Sequence, residues 1–399
     1  MYAITSDDYL IHYGGSQDKD YLIISGTLQM SYNMAGSLTF TVPSNNVAHK
    51  NGVIQKLSSV IKVYKIENGN KKLIWKGRVI ETHRDFYNTA TYNCEGWLGL
   101  LNDIVQLFMH KYPGIESTND GTIDHDVPWN DAKWYGATPE AMFKGLIDSY
   151  NIEKRANYGT IYYLNPKFKN YGDAASNDPR YNYPPTNGMT ILDYLQNHVV
   201  NDPVYGGHLW VGDTEVHFDL NPDKNVVVSP QVIRFGENLS DLTEAIDATK
   251  LKTRLYGKAI VNGRVNIATA FNTSILNLYG NIDAVYDFGN ATSYQELLTM
   301  TQRKAATLNE LVNLTFSAID LSAFGTDADR IRVGNYIRLV SEPNDIDTSV
   351  FCTGVEFDLV EPTKAQYTFG MNSDTLSGLQ IRNIEKIKAN NISYIKWLN

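Results

Sequence analysis

The chain has 399 residues, 43% hydrophobic and 20% charged, an ordinary globular composition with enough length for a large core and roughly two to four domains. Its formal net charge of −9 excludes a surface built to hold nucleic acid, while leaving DNA free to slide past without being held. Cys94 and Cys352 are too few for a disulfide framework, and each lies in an apolar, strand-like run that reads as core.

The opening residues, Met1 to Gly15, lack a basic stretch followed by an apolar one, so no signal peptide is expected. No apolar window approaches membrane-spanning length either. Tyrosines outnumber phenylalanines by 26 to 14, a balance that suits wet or protein-facing surfaces, because the ring gives contact area and the hydroxyl a polar tip.

Residues 1–100 read as a run of strands. Alternation marks Leu38-Thr39-Phe40-Thr41-Val42, ended by Pro43, and a second apolar run goes from Val60 to Tyr64. Asn68-Gly69 separates that run from Leu73-Ile74-Trp75, and this dipeptide accepts the positive φ angles of a type I′ hairpin turn. Val79 to His83 and Ala90 to Glu95 continue the pattern, which predicts a small antiparallel barrel or sandwich.

The spacing turns helical near residue 97. Leu98, Leu101, Ile104, Val105 and Phe108 predict a helix stopped by Pro113-Gly114. Thr138 as N-cap, Pro139 in the first helical position and Glu140 in the first turn predict another, with Met142, Leu146, Ile147 and Tyr150 on its apolar face. A third starts near Thr190 and buries Ile191, Leu192, Leu195 and Val199. Residues 152–189, rich in Tyr, Asn, Pro and Gly, read as an irregular surface region. Leu209-Trp210-Val211 and Val216-His217-Phe218 then form a hairpin around Gly212-Asp213. Residues 101–229 therefore read as an α+β unit inserted between two β-rich regions.

Strands return from Val226 onward, at Leu255-Tyr256, Val265 to Ile267, Asn313 to Ala318, Tyr336 to Val340, Val355 to Leu359 and Tyr367 to Gly370. A helix over 293–312 interrupts them, with Leu297, Leu298, Thr301, Ala305, Leu308 and Val312 on one face. In the last segment, 374–399, Ile384, Ile387, Asn391, Tyr394 and Leu398 follow coiled-coil a/d spacing with a polar residue at the centre. Two heptads leave two readings open, a helix docked on its own domain or self-association along the axis of an oligomer. The expected fold class is α+β, mainly β. It comprises two related small β-barrel domains (1–100, and 230–373 with its helix), an inserted α+β domain (101–229) and a C-terminal helical segment (374–399).

The chemistry-bearing residues form no catalytic pattern. HExxH, CxxC, GxSxG, GxGxxG, the Walker sequence and an acidic twelve-residue calcium loop are all missing. Asp124-His125-Asp126 reads first as a solvated loop, with a metal or catalytic role as the alternative, and the pair Asp327 and Asp329 as a solvated turn, with weak cation binding as the alternative. His208 and His217 flank the predicted hairpin turn and read as cross-strand packing. No cofactor, metal or catalytic residue is expected.

Ala35-Gly36-Ser37-Leu38-Thr39-Phe40-Thr41-Val42-Pro43 looks like a signature of phage tail proteins of Gram-positive hosts, as does Tyr92-Asn93-Cys94-Glu95-Gly96-Trp97-Leu98 followed by Leu101 to Ile104. Phe235-Gly236-Glu237-Asn238-Leu239 with Thr253-Arg254-Leu255-Tyr256-Gly257 is the most telling pair. Tyr279-Gly280 with Ile282, Ala318 to Leu321, Val333-Gly334-Asn335-Tyr336 and Tyr367 to Gly370 complete the order. Over about residues 1–375 the chain thus resembles the tail-associated hub proteins of siphophages, including the prophage tail endopeptidase family and its N-terminal structural module.

The resemblance implies a fold shared with the baseplate hub of contractile tails. In that reading the protein is not an enzyme but a structural hub of the virion tail tip, made in the host cytoplasm. A homotrimer, with two barrels per copy, forms a pseudo-sixfold ring. The ring joins the hexameric distal tail protein and gates the tube for the tape measure protein and phage DNA, with receptor-binding proteins as further partners. Larger relatives carry C-terminal catalytic extensions for which Asn399 leaves no room, so the endopeptidase activity is not carried over. Two alternatives stay open: a cell-wall hydrolase centred on 101–225, and a receptor-binding protein that stacks sugars on the aromatics between Trp129 and Tyr183.

Overall fold

In the computed structural model, residues 1–67, 69–105, 139–158, 163–171, 189–200, 207–213, 215–220, 227–247, 251–288, 291, 293–306, 311–318, 331–344, 346–363 and 365–370 are described. The segments of Asp124 to Asp126, Asp327 and Asp329, and Ile384, Ile387, Asn391, Tyr394 and Leu398 lie outside them, as do Phe108, Trp129 and Tyr183.

The first β region holds β1 (Tyr2–Ser6), β2 (Tyr9–Tyr13), β3 (Ser25–Ser31), β4 (Ser37–Val42), α1 (Val47–Lys50), β5 (Val60–Glu67), β6 (Asn70–Arg84) and β7 (Ala90–Gly96). Alternation is the cause of the pairing. In β4 and β7 every second residue is buried, so one face supplies core while the other stays polar. The hairpin forms where expected, with Glu67 paired to Asn70 and Gly69 at φ 79°, and Asn68 lies outside the described residues. The two runs expected at 73–75 and 79–83 are one 15-residue strand, β6, bent by irregular register at Val79/Glu81.

The helix expected from residue 98 is instead a short 3₁₀ turn, Trp97–Asn102, and Val105 bridges to Thr190. Gly99 explains the shortening in part, since helix interiors disfavour glycine. Beyond it come α2 (Pro139–Tyr158), β8 (Asn165–Asn170), α3 (Ile191–Tyr194, continued by a π turn to Val200), β9 (Gly207–Val211) and β10 (Glu215–Leu220). Met142, Leu146, Ile147 and Tyr150 of α2 are buried against Phe218 and Leu220, as their spacing predicts. Thr190 caps α3 by accepting from the Asp193 amide at 3.1 Å. Strands β8, β10 and β9 make a separate three-stranded sheet in that order.

The second β region contains β11 (Val228–Arg234) and β12 (Leu239–Asp247), then β13 (Arg254–Val261), β14 (Arg264–Phe271), α4 (Thr273–Tyr279), β15 (Asp283–Asp287) and α5 (Tyr294–Ala306), and finally β16 (Leu311–Ala318), β17 (Tyr336–Ser341), β18 (Ile346–Asp358) and β19 (Gln366–Gly370). The helix expected to run to 312 stops at Ala306, and Val312 belongs to strand β16. Its β-branched neighbours Val312 and Thr315 favour the extended state over another helical turn.

Among the described residues, thirteen strands form one sheet. Its main path is β12-β16-β19-β18-β3-β4-β7-β6-β5-β1-β2, with β17 also on β18 and β11 on β17. The path is open, and no ladder closes either half into a barrel. The two β regions meet edge to edge through antiparallel pairing of β18 with β3, from Gly354↔Ser31 to Asp358↔Thr27. One apolar core crosses this seam, with Ile4, Phe40 and Tyr92 from one side and Leu339, Val350 and Phe357 from the other. Residues 251–306 stand apart as a small α+β unit, the sheet β14-β13-β15 with α5 on one face.

Candidate functional site: the junction of three units

The turn between β3 and β4 is where the two β regions and the β8–β10 unit meet. Asn33 holds it. Its φ of 62° is a left-handed conformation that Asn tolerates better than most residues. Its side chain then acts as a substitute strand partner for β9, donating to the Gly207 carbonyl at 2.9 Å and accepting from the Leu209 amide at 2.7 Å. The Asn33 carbonyl accepts from Gln196 Nε2 at 2.7 Å, and the Tyr32 amide donates to Thr353 O at 2.8 Å. Three segments distant in sequence are thereby tied to one turn.

A row of rings crosses the same junction. Tyr336 lies 5.0 Å from Phe351, Phe351 meets Tyr32 edge-on at 4.9 Å, and Tyr32 stacks on His208 at 4.3 Å. His208 lies 6.4 Å from Trp210, whose indole stacks on His217 at 3.7 Å. Gly334 makes room for this, because a Cβ there would lie 3.3 Å from the His208 ring and 3.4 Å from Tyr32. The two histidines are not cross-strand neighbours; His208 pairs with Asp219, and His217 with Trp210. Burial pushes the His208 imidazole down to about 4, and Asp219 only partly offsets it, so the ring is neutral at neutral pH.

Beside the row lies a cleft of about 560 Å³ whose walls include Met30, Trp75, Lys76, Trp210 and Arg332. A second, of about 720 Å³, shares Met30 to Met34, and its further walls include Gln196, Val355, Glu356 and Gln366. Lys76 spans the first cleft, its ammonium 4.2 Å from the Trp97 ring centre and 2.5 Å from the Asp213 carbonyl. Burial lowers the Lys76 ammonium, and the charge of Asp213 works against that.

A half-buried ion cluster braces the region from behind. Arg78 donates from Nε to Glu95 at 2.7 Å and, through both terminal nitrogens, to the Asp103 carboxylate at 2.6 Å, while Lys154 of α2 reaches Asp103 at 2.6 Å. Burial by itself would raise the Asp103 carboxyl, but the hydrogen bonds from Arg78 and Lys154 outweigh it and hold the group below the usual carboxylate range. Removing Arg78, the most buried member, would leave Glu95 without its partner and Asp103 with Lys154 alone, at a cost of about 1–3 kcal/mol. The cluster is bracing and not chemistry, because every charge is already matched.

The described residues include no group of three or more His, Cys, Asp or Glu placed to hold a metal ion. No helix among them is long and apolar enough to cross a membrane. Cys94 and Cys352 are free and buried, and burial pushes the Cys352 thiol up to about 12, which makes it inert. What the arrangement offers is mechanical: a turn, a row of rings and an ion cluster that hold three units in register.

Sequence reading missed Tyr32, Asn33, Arg78 and Asp103. Asn33 had a local signal, the turn-forming run Ser31 to Gly36, but its partners on β9 are about 175 residues away. The resemblance motifs, by contrast, coincide with tight backbone. Thr253 Oγ1 donates to Gly280 O at 2.6 Å and accepts from the Ile282 amide at 2.7 Å, which joins two motifs directly. Asn238 closes the Phe235–Leu239 turn by accepting from the Arg234 amide at 2.8 Å and donating to Val232 O at 3.1 Å. At Gly96 a Cβ would come within 1.7 Å of Ala35 O, beside Gly36 at φ 72°.

This architecture is the fold of phage tail proteins. It matches a prophage tail protein, gp18, from Listeria monocytogenes EGD-e (TM-score 0.54, 14% identity, 97% of this chain and 99% of that one). It also matches a tail protein from Neisseria meningitidis MC58 (0.55, 11%, 92% and 94%) and the 43 kDa tail protein of prophage MuSo2 from Shewanella oneidensis (0.59, 9%, 94% and 98%). Residues 228–380 match the family described as prophage endopeptidase tail, in line with the resemblance read from the motifs. No curated protein matches the chain in sequence.

Proposed function

We propose that the chain is the structural hub of a phage tail tip. Three copies form a ring, each contributing its two β regions as two barrel-like sectors, so that a threefold assembly presents six similar edges to a sixfold tail tube. The ring joins the distal tail protein and gates the passage of the tape measure protein and DNA by rigid-body rearrangement of subunits. Its place is the virion tail, and it acts through assembly and not through catalysis.

One observation carries the reading. The ladder between β18 and β3, with a common core beneath it, makes the two β regions a single rigid unit. Side-by-side placement of that kind is what two sectors of one ring require. The fold likeness to tail proteins and the family match over 228–380 support it. Native mass measurement and negative-stain imaging of the purified chain test it. A species of three chain masses with a central opening is expected; a stable monomer at micromolar concentration refutes it.

A further inference from the structure

Residues 251–306 leave and rejoin the large sheet at one point. Strand β12 ends at Asp247 and β16 begins at Leu311, and the register sets these two residues directly opposite each other, next to Ile246 and Val312. Opposed residues of an antiparallel pair lie roughly 5 Å apart at Cα. The chain thus departs from the end of one strand, builds the whole α+β unit and returns beside its point of departure, as it would around a hairpin turn. Residues 248–250 and 307–310, which make the two connections, lie outside the described residues.

The unit is held together by its own residues. Ala259, Phe288 and Leu297 anchor one apolar cluster, Leu255, Ala270 and Ala305 another, and every member of both comes from this stretch. Among the described residues, the core shared by the two β regions takes none of its members from 251–306. Backbone bonds close the unit where it opens. The Thr253 amide donates to Ile282 O at 2.9 Å and the Asn272 amide to Thr253 O at 3.0 Å, which fastens the entry to the end of β14 and the start of β15. Arg254 and Asp283 repeat that closure with two side-chain bonds of 2.6 Å, and Lys304 of α5 lies 5.2 Å from the Tyr286 ring centre on β15. At about 55 residues the unit has the size at which domains begin to fold without staples. The paired strand ends beneath it lower the closure cost that a free chain would carry.

We infer that residues 251–306 form a self-contained module grafted onto the tip of the β12–β16 hairpin, and that the frame of the two β regions folds and self-associates without it. The first half stands on the register and the separate cores. The second half, self-association, rests on the hub reading above. The division has a consequence for function. What is built on a hairpin tip can be replaced or lost without altering which edges of the large sheet meet. Assembly therefore belongs to the frame, and the module can change without disturbing it.

Two variants test it. In the first, Leu297→Asp in the full chain places a charge in the module's core, where Leu297 is fully buried. Amides of β13 to β15 should then exchange about tenfold faster or more, while those of β4, β7, β17 and β18 keep the parent's protection. In the second, an Asn-Gly turn replaces residues 248–310 and joins Asp247 to Leu311. That chain should keep the parent's oligomeric state by native mass measurement and the same protection in the four frame strands. Loss of frame protection in either variant overturns the inference, because the frame would then depend on the module. A deletion variant with a protected frame but a smaller assembly overturns its second half. If the parent chain is itself monomeric, the hub reading falls, and the exchange comparison still decides whether the module is separable.

Discussion

At the scale of single residues, the junction depends on groups kept neutral or fully matched. His208 is the clearest case. Burial holds its imidazole down to about 4, against an ordinary value of 6.5. Between those two values the unfolded chain binds a proton that the folded chain refuses, so stability is complete above about pH 6.5 and falls as the pH drops toward 4. At about 1.4 kcal/mol per pH unit the loss reaches on the order of 3 kcal/mol. His12, buried in β2 with its Nδ1 accepting from the Ile23 amide at 3.3 Å, is lowered by burial in the same direction. Replacing His208 by Phe keeps the stack on Tyr32 and removes the titration. Urea unfolding at pH 7 and pH 5 should show a smaller loss for His208→Phe than for the parent. Equal losses would mean that the imidazole is solvated and the junction looser than described.

At the scale of elements, close approach decides which residues are permitted. In the small α+β unit, α5 lies so close to β13 that a Cβ on Gly257 would come within 1.9 Å of Thr301 Oγ1. Thr301 is itself fully buried and donates to Leu297 O at 2.6 Å, so it has nowhere to turn. Gly257→Ala is therefore expected to destabilise the unit by about 1–3 kcal/mol, the range for overpacking. The double variant with Thr301→Ala should recover part of that loss, because the two sites share one contact. Thermal melts of the four proteins of the cycle measure the coupling, and strict additivity would rule out the packing account.

At the scale of the whole molecule, the ladder between β18 and β3 makes two sequence-distant regions cooperate. One core spans the seam, so neither region can lose its strands without exposing the other's apolar residues. Hydrogen exchange should accordingly show β4, β7, β17 and β18 protected to the same limit and opening together, whereas β13 to β15 should exchange by a separate opening. Two distinct limits for the two halves of the large sheet would contradict a shared core. Cooperation of this kind suits a subunit that must move as a rigid body in an assembly.

Local chemistry by itself determined much of this protein. Alternation placed β4, β5 and β7, Asn-Gly placed the hairpin before β6, and Pro139 with Glu140 placed the start of α2, because each depends on neighbours within a few residues. The glycine and asparagine motifs marked turns whose tight backbone tolerates little else, and they pointed to phage tail proteins. The tertiary structure alone decided the rest. The helix expected from Leu98 shrank to a 3₁₀ turn, and the helix expected to reach 312 ended at Ala306 where β16 found a partner in β12. The pairing of β18 with β3, the separation of residues 251–306 and the linking role of Asn33 had no local sign. Backbone edges carry no sequence label, so which edges meet is settled only when distant segments compete to bury the same apolar surface.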